Sequence, residues 1–229
     1  MKQLWNEGWS FLKTKADTEI GQIKDRMQDF EEVDLPHDWL IEDTCNLYED
    51  GTGWYRKVFC ADGWAGKRVA LYFEGVYMDN TVYVNGQQVK EWKYGYSWFD
   101  ADLTDFLREG ENEVLVRVNF KSPNSRWYSG AGIYRDVFLT VTEKVYLPFH
   151  ATYVSTKKQG EDFLLFLDTK VEDLAPKAEE TPGGLSAKEV LVKYFLTDES
   201  GQQIKLDFVE KNLTFPPISS SKSRVISLS

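Results

Sequence analysis

The chain has 229 residues, and 27 Lys and Arg against 37 Asp and Glu give it a net charge of −10. This length corresponds to one large or two ordinary domains and suffices to bury a core without disulfides or a metal. The acidic balance excludes nucleic acid as an expected partner, because phosphate binding needs a basic surface.

The N-terminal residues contain no apolar segment of the kind that a signal peptide needs, so a cytoplasmic location is expected. No apolar run approaches the roughly 18 residues of a membrane span, and no membrane partner is expected.

Near the N-terminus, apolar residues recur at three- and four-residue steps among charged residues, at Ile20, Ile23, Met27 and Phe30. This spacing predicts a short amphipathic helix at residues 19–29, lying on a sheet.

A strand pattern dominates residues 54–143. In the segment 113–118, three valines alternate with other side chains, which predicts a strand with one face of valines. Asn85-Gly86 predicts a hairpin, because a type I′ turn needs positive φ at both central residues. Thr104 is expected to cap a single helical turn that Gly110 ends. The other strands predicted here are 54–60, 68–74, 81–84, 87–90, 96–99 and 136–142.

A second strand-rich section begins near Val145. Its predicted strands are 151–156, 163–171, 190–196, 203–208 and 224–228, with an exposed loop at 173–187. Short strands at this spacing, separated by turn signals, favour an immunoglobulin-like sandwich. The pattern therefore predicts an all-β fold of two β-sandwiches, which we divide into residues 1–144 and 145–229.

Cysteine and histidine, the usual ligands of zinc, are few in this chain. Cys45 and Cys60 are the only cysteines, they lack zinc-like spacing, and we expect both to be free thiols. The acids at 100, 102 and 105 do not match a calcium loop, and solvated side chains are the favoured interpretation. We therefore expect no metal and no cofactor. The 8 Trp, 12 Tyr and 14 Phe are expected mostly to fill the cores, although such rings also stack on sugars.

Three stretches carry more specific information. They are Leu35-Pro36-His37-Asp38-Trp39, then Gly53-Trp54-Tyr55-Arg56-Lys57 with Val82-Tyr83-Val84-Asn85-Gly86, and Arg126-Trp127-Tyr128-Ser129-Gly130-Ala131-Gly132-Ile133-Tyr134-Arg135-Asp136-Val137. In this order and spacing the chain resembles the N-terminal part of glycoside hydrolase family 2, the β-galactosidase and β-glucuronidase family. The resemblance is close over residues 1–143 and looser over 145–229.

The resemblance implies a jelly-roll, galactose-binding-like β-sandwich followed by an immunoglobulin-like β-sandwich and then a (β/α)₈ barrel. A barrel takes about 250 residues, which the strands predicted here leave no room for. The family's acid/base and nucleophile are two glutamates of that barrel, about 5–5.5 Å apart in a retaining enzyme. We therefore expect no catalytic residue in this chain, and we expect it to be a non-catalytic fragment of a larger enzyme.

The resemblance also implies that two loops of the first domain help to hold the terminal sugar of a β-glycoside. Asp38 and Arg126 are the candidate hydrogen-bonding residues, since a carboxylate accepts from vicinal hydroxyls and a guanidinium donates in a fixed fork. Trp39, Trp127 and Tyr128 are the candidate walls. The competing interpretation is structural: Asp38 would cap a turn, Arg126 would pair with Asp38 or Asp136, and the aromatic rings would be packed.

Three functional hypotheses follow. In the leading one, the chain completes the sugar site of a larger glycosidase, more in the manner of a β-galactosidase than of a β-glucuronidase, and its partners are that sugar and the catalytic barrel. The alternatives are a stand-alone carbohydrate-binding module and a structural or oligomerisation element, with a homo-oligomer as the further expected partner. In the third stretch, Gly130, Ala131 and Gly132 are expected to be structural, and Arg135 is expected to be ion-paired at the sandwich edge.

Overall fold

The structure is a computed structural model that describes residues 1–174, 188–204, 210–215 and 223–228. The chain divides into two compact units, Met1–Glu143 and Lys144–Ser229. The fold is all-β, as the sequence predicted. Across the described residues, no helix is long and apolar enough to cross a membrane.

The first unit is a β-sandwich of ten strands. They are β1 (Lys2–Leu4), β2 (Trp9–Thr14), β3 (Glu31–Val33), β4 (Gly51–Cys60), β5 (Arg68–Phe73), β6 (Asn80–Val84), β7 (Gln87–Trp92), β8 (Phe99–Asp102), β9 (Glu111–Phe120) and β10 (Val137–Thr142). One sheet has the order β3-β2-β4-β9-β6-β7 and the other β1-β10-β5-β8, with every neighbouring pair antiparallel. The main core lies between these sheets.

The alternation predicted for β9 is confirmed. Val114, Val116 and Val118 are fully buried and belong to the main core, together with Leu71 and Phe73 of β5 in the other sheet. Period-2 alternation directs these side chains to one face, and their burial holds the two sheets together. The predicted hairpin between β6 and β7 is confirmed too, because Asn85 and Gly86 have φ values of 49° and 79°.

The amphipathic helix predicted at 19–29 is wrong in its form. The segment instead contains two 3₁₀ turns, Ile20–Gln22 and Met27–Asp29. The side-chain oxygen of Gln22 accepts a hydrogen bond from the backbone N–H of Glu19 at 2.7 Å, which closes the first turn on itself. The predicted contact with a sheet is nevertheless present, since Ile23 is fully buried among side chains on the outer face of the six-stranded sheet.

Shortening Ile23 to valine should therefore cost stability even though the segment has little regular structure. We expect Ile23→Val to lower the free energy of unfolding by about 1 kcal/mol, because it leaves a methyl-sized void under a closed surface. Urea unfolding of the purified chain measures this loss. Ile41→Val is the matched control, because Ile41 is 58% exposed and should change the free energy by less than about 0.5 kcal/mol. Equal effects of the two substitutions would contradict the packing role of Ile23.

The helical turn predicted near residue 104 is present at Thr104–Phe106, but Thr104 lies inside it and Leu103 occupies the N-cap position. The Asp102 carboxylate accepts from the Thr104 backbone N–H at 3.1 Å and from its hydroxyl at 2.5 Å, so Asp102 rather than Thr104 orders the turn. Asp100 and Asp102 also pair with the Arg68 guanidinium at 3.0 Å each. These two acids therefore bind a buried arginine, while their side chains stay 46% and 41% exposed, so the acids predicted to be solvated also form ion pairs.

The second unit also consists of antiparallel pairs in its described part. Its strands are β11 (Val145–Tyr146), β12 (Thr152–Gln159), β13 (Asp162–Asp173), β14 (Lys188–Lys193), β15 (Leu196–Thr197), β16 (Gln203–Ile204), β17 (Glu210–Phe215) and β18 (Ser223–Leu228). β13 pairs with β11, β12 and β18, β14 with β17, and β15 with β16. Residues 175–187 of the predicted loop and 205–208 of a predicted strand lie outside the described residues. Cys45 and Cys60, in the first unit, are free, as predicted, and both are exposed.

Candidate functional site

Backbone hydrogen bonds bring the two predicted loops side by side. The N–H of His37 donates to the carbonyl of Ile133 at 2.8 Å, and the N–H of Trp39 donates to the carbonyl of Ala131 at 3.1 Å. On the other side of the same segment, Tyr77 and Gly132 exchange two hydrogen bonds of 2.9 Å. The segment 130–133 is thus fixed along both edges, although it belongs to none of the named strands.

Asp38 is the centre of the contacts between these loops. Its Oδ1 accepts from the backbone N–H of Leu40 at 3.1 Å, which caps the 3₁₀ turn Trp39–Glu42, and from that of Ala131 at 2.9 Å. Its Oδ2 accepts from the Tyr128 hydroxyl at 2.5 Å. Burial and this hydrogen bond to a carboxylate raise the pKa of Tyr128, so the phenol remains protonated and continues to donate. Two of the predicted site residues are therefore in direct contact.

The glycines of the second loop make this contact sterically feasible. Gly130 has a φ of 74°, and a Cβ placed on it would lie 2.6 Å from Oδ2 of Asp38. Gly132 has a φ of 136°, and a Cβ there would overlap the hydroxyl of Tyr55 and the carbonyl oxygen of His37. Both positions require glycine for two reasons, the positive φ of the backbone and the close approach of a neighbouring residue.

Arg126 lies at a small cleft next to these loops. The cleft has a volume of about 220 Å³ and is lined by Leu47, Tyr48, Phe120, Ser122, Pro123, Asn124, Ser125, Arg126 and Ser129. Arg126 is exposed, and it forms no hydrogen bond or ion pair with the described part of the chain. Asp136, one of its two proposed partners, instead accepts from Asn6 at 2.8 Å. The guanidinium is thus available to a ligand beside a cleft rich in hydroxyl groups.

The aromatic residues predicted as walls differ in position. Trp127 is 62% exposed, and its indole N–H donates to the Tyr96 hydroxyl at 3.0 Å. Tyr128 is 38% exposed and contacts Asp38. Trp39 is only 2% exposed and stacks on Phe11, with ring centroids 5.5 Å apart. Trp39 therefore supports the loop from below and presents no ring surface to solvent.

The loop between β7 and β8 contributes aromatic residues that the sequence interpretation did not single out. Tyr94 is 62% exposed and Tyr96 is 41% exposed. The Tyr96 hydroxyl accepts the hydrogen bond from Trp127, and the Tyr94 ring contacts the Tyr96 ring. The available signal is the aromatic sequence Tyr94-Gly95-Tyr96-Ser97-Trp98, whose last three residues fall in the strand predicted at 96–99. The contact of this loop with residue 127 joins positions that are far apart in the sequence.

His37 and Arg135 take structural positions. The Nδ1 of His37 lies 2.7 Å from the Tyr55 hydroxyl and its Nε2 lies 3.2 Å from Glu42, which fits the prediction of a hydrogen-bonded loop residue. Tyr55 is fully buried, and this burial raises its pKa. Arg135 is exposed and lies over the Tyr134 ring, so the ion pair predicted for it is wrong within the described residues.

Comparison with known proteins places this sandwich in a family. The sequence profile described as "Glycosyl hydrolases family 2, sugar binding domain" matches residues 9–143. The chain belongs to glycosyl hydrolase family 2. The match covers the loops of Asp38 and Arg126 as well as most of the strands of the first unit, so the family resemblance drawn from the motifs is confirmed.

Individual relatives of this family 2 chain are much longer than it is. It is 43% identical over 146 residues to the β-galactosidase BoGH2A of Bacteroides ovatus, which covers 58% of the chain and 17% of that protein. It is 36% identical over 129 residues to a β-glucuronidase of Bacteroides fragilis, covering 51% of the chain and 18% of that protein. The chain thus spans less than a fifth of the length of these relatives.

A solved structure extends the similarity to both units. A glycosyl hydrolase family 2 member from Bacteroides cellulosilyticus superposes with a TM-score of 0.82 at 29% identity, covering 99% of this chain and 31% of that one. The fold of β-sandwiches is therefore shared along the chain with a family 2 protein about three times as long.

Proposed function

We propose that this chain is the N-terminal, non-catalytic part of a larger, retaining family 2 glycosidase, and that the loops of Asp38 and Arg126 help to hold the terminal sugar of a β-glycoside. The observation that carries the proposal is the convergence of these loops: Asp38 accepts a hydrogen bond from Tyr128, and Arg126, two residues before Tyr128 in the chain, is exposed at a cleft that Ser129 also lines. A polar cluster on loops that a rigid sandwich supports is a common position for a binding site.

The chemistry of the cluster suits a polyhydroxylated ligand. Among the residues that the structure describes, Oδ2 of Asp38 accepts a single hydrogen bond, so it retains capacity for a sugar hydroxyl. Arg126 presents up to five donors in a planar fork, which matches two adjacent hydroxyl oxygens. The Tyr128 and Trp127 rings flank these groups and exclude water from one side of the ligand, whereas Trp39 acts only by supporting the loop.

The proposed partners are the terminal sugar and a catalytic barrel that contributes the remainder of the site. Similarity to a β-galactosidase over 146 residues favours a galactoside over a glucuronide as the substrate, although relatives of both kinds match. We propose no catalytic residue, cofactor or metal in this chain, and a cytoplasmic location for the enzyme.

The proposal is tested by turnover of 4-nitrophenyl β-galactoside. The purified 229-residue chain should show no turnover. The longer protein, expressed from the same reading frame together with the coding sequence downstream of it, should hydrolyse the substrate. Robust turnover by the pure chain alone would overturn the proposal, because no barrel is then needed for the chemistry.

In the longer protein, Arg126→Ala should lower kcat/KM at least tenfold, since it removes a charged hydrogen bond worth about 1.5–3 kcal/mol. Arg26→Ala is the matched control, because Arg26 is an exposed arginine on the 3₁₀ turns that cover the six-stranded sheet. Thermal unfolding of both variants shows whether activity falls because a substrate contact is missing or because less protein is folded. A fall in activity no larger than the fall in folded protein would assign Arg126 a structural role.

A stand-alone carbohydrate-binding module is the second candidate, favoured by the exposure of Trp127 at 62%. NMR titration of the chain with methyl β-galactoside discriminates between the two. Saturation at millimolar or lower concentration supports the module, and absence of saturation supports a sugar site shared with a barrel.

A further inference from the structure

Three aromatic side chains on neighbouring loops form an exposed surface beside the proposed sugar site. We define the aromatic shelf as Tyr94, Tyr96 and Trp127, which are 62%, 41% and 62% exposed. Aromatic rings of this size normally contribute buried area to a core or an interface. Their exposure together, on one pair of loops, indicates an interaction surface.

The rings of the shelf are held in place by contacts with each other. The Trp127 indole N–H donates to the Tyr96 hydroxyl at 3.0 Å, and the centroids of the Tyr94 and Tyr96 rings are 5.9 Å apart. Tyr96 also packs edge-on against the buried Tyr77 ring at 5.1 Å. Partial burial raises the pKa of Tyr96, but hydrogen bonds from Ser129, Trp127 and Tyr77 outweigh it and lower that pKa.

The two loops that carry the shelf are also held by side-chain hydrogen bonds, to each other and to Tyr77. The Tyr134 hydroxyl donates to the carbonyl of Gly95 at 2.8 Å, and the Tyr77 hydroxyl donates to Oδ1 of Asn124 at 3.0 Å. Gly95 packs so closely on the Tyr77 ring that a Cβ there would overlap it. The shelf is thus ordered before any ligand arrives, which lowers the entropic cost of binding.

The position and chemistry of the shelf fit a sugar ring better than an apolar ligand. One face of a β-linked pyranose presents C–H bonds that pack on aromatic rings, while its edge presents hydroxyl groups. Hydroxyl and amide groups of Asn124, Ser125 and Ser129 lie next to the shelf and match such an edge. Trp127 lies between Arg126 and Tyr128 in the chain, so the shelf begins next to the proposed terminal-sugar site.

We propose that the aromatic shelf binds a second pyranose ring next to the terminal sugar, which makes the substrate an oligosaccharide of linked β-pyranoses rather than a glycoside with a small aglycone. This inference rests on the proposed function for the neighbouring ring. It adds Tyr94 and Tyr96, from the loop between β7 and β8, to the residues that contact substrate.

The test compares one-ring and four-ring probes on the 229-residue chain. Isothermal calorimetry and the Trp127 indole resonance report binding of methyl β-galactopyranoside and of β-1,4-galactotetraose. We expect the tetraose to bind at least tenfold more tightly than the methyl glycoside, and Tyr94→Ala to raise the tetraose Kd at least tenfold. Tyr153→Ala is the matched control, because Tyr153 is 68% exposed on β12 of the second unit and should leave the Kd unchanged.

Two results would overturn the inference. The first is that the tetraose binds no more tightly than the methyl glycoside, or that neither probe binds. The second is that Tyr94→Ala does not change the Kd of the tetraose. The proposed function fails separately, if Arg126→Ala does not affect turnover of the one-ring nitrophenyl substrate by the longer protein. Each proposal can therefore fall while the other stands.

Discussion

Gly132→Ala is expected to destabilise the first unit by about 4 kcal/mol or more, which is a large part of the stability of an ordinary domain. At a φ of 136°, an L side chain is strained, and its Cβ would overlap the Tyr55 hydroxyl and the His37 carbonyl oxygen. Neither neighbour can easily move, because Tyr55 is fully buried and His37 is bonded to Ile133 through its backbone. Urea unfolding of the variant chain measures the loss.

Gly110→Ala is the matched control for this substitution. Gly110 has a φ of 81°, but a Cβ there would meet nothing within 4 Å. We expect only the conformational cost, about 1–2 kcal/mol. If Gly132→Ala costs no more than Gly110→Ala, the close packing of the two loops is not what requires glycine at position 132.

Asp38→Ala is expected to lower the free energy of unfolding by about 3 kcal/mol and to release Tyr128 from the loop. The carboxylate accepts from Leu40, Ala131 and Tyr128, and its removal leaves three donors without their partner. Chemical denaturation gives the stability change. The phenol pKa of Tyr128, followed by ultraviolet absorbance, should fall, because the loss of the carboxylate removes one cause of its elevation.

Asp38→Asn and Tyr128→Phe divide this effect into its parts. The asparagine keeps an oxygen for the two backbone donors, so we expect a loss of about 1 kcal/mol, and Tyr128→Phe should cost a similar amount. If Asp38→Asn destabilises as much as Asp38→Ala, the charge rather than the hydrogen-bond geometry holds the loops together.

The parts of the fold that the sequence predicted well depend on local rules. Alternation of valines in β9 and the Asn85-Gly86 turn need no knowledge of distant residues. The segment 19–29 shows where such rules fail. A three- and four-residue spacing fits an α-helix, but it also fits two tight turns that direct Ile20, Ile23 and Met27 onto a sheet.

The candidate site was predictable only as far as its motifs were contiguous. Asp38 and Tyr128 came from two motifs of the family and are in contact. Trp39 belongs to the same motif but is buried, because Gly53 lacks the side chain that would exclude its ring, and a Cβ there would lie 2.5 Å from it. Tyr94 and Tyr96 were missed because their importance depends on a contact with Trp127 across the fold.

The double-sided bonding of residues 130–133 has a consequence for how this region exchanges hydrogen with solvent. All four residues are buried, and the amides of Ala131 and Gly132 donate to Asp38 and Tyr77. Amides with buried acceptors exchange only when the structure around them opens. The segment of the site loop next to Asp38 therefore belongs to the slowly exchanging body of the sandwich, and its geometry persists as long as the sandwich does.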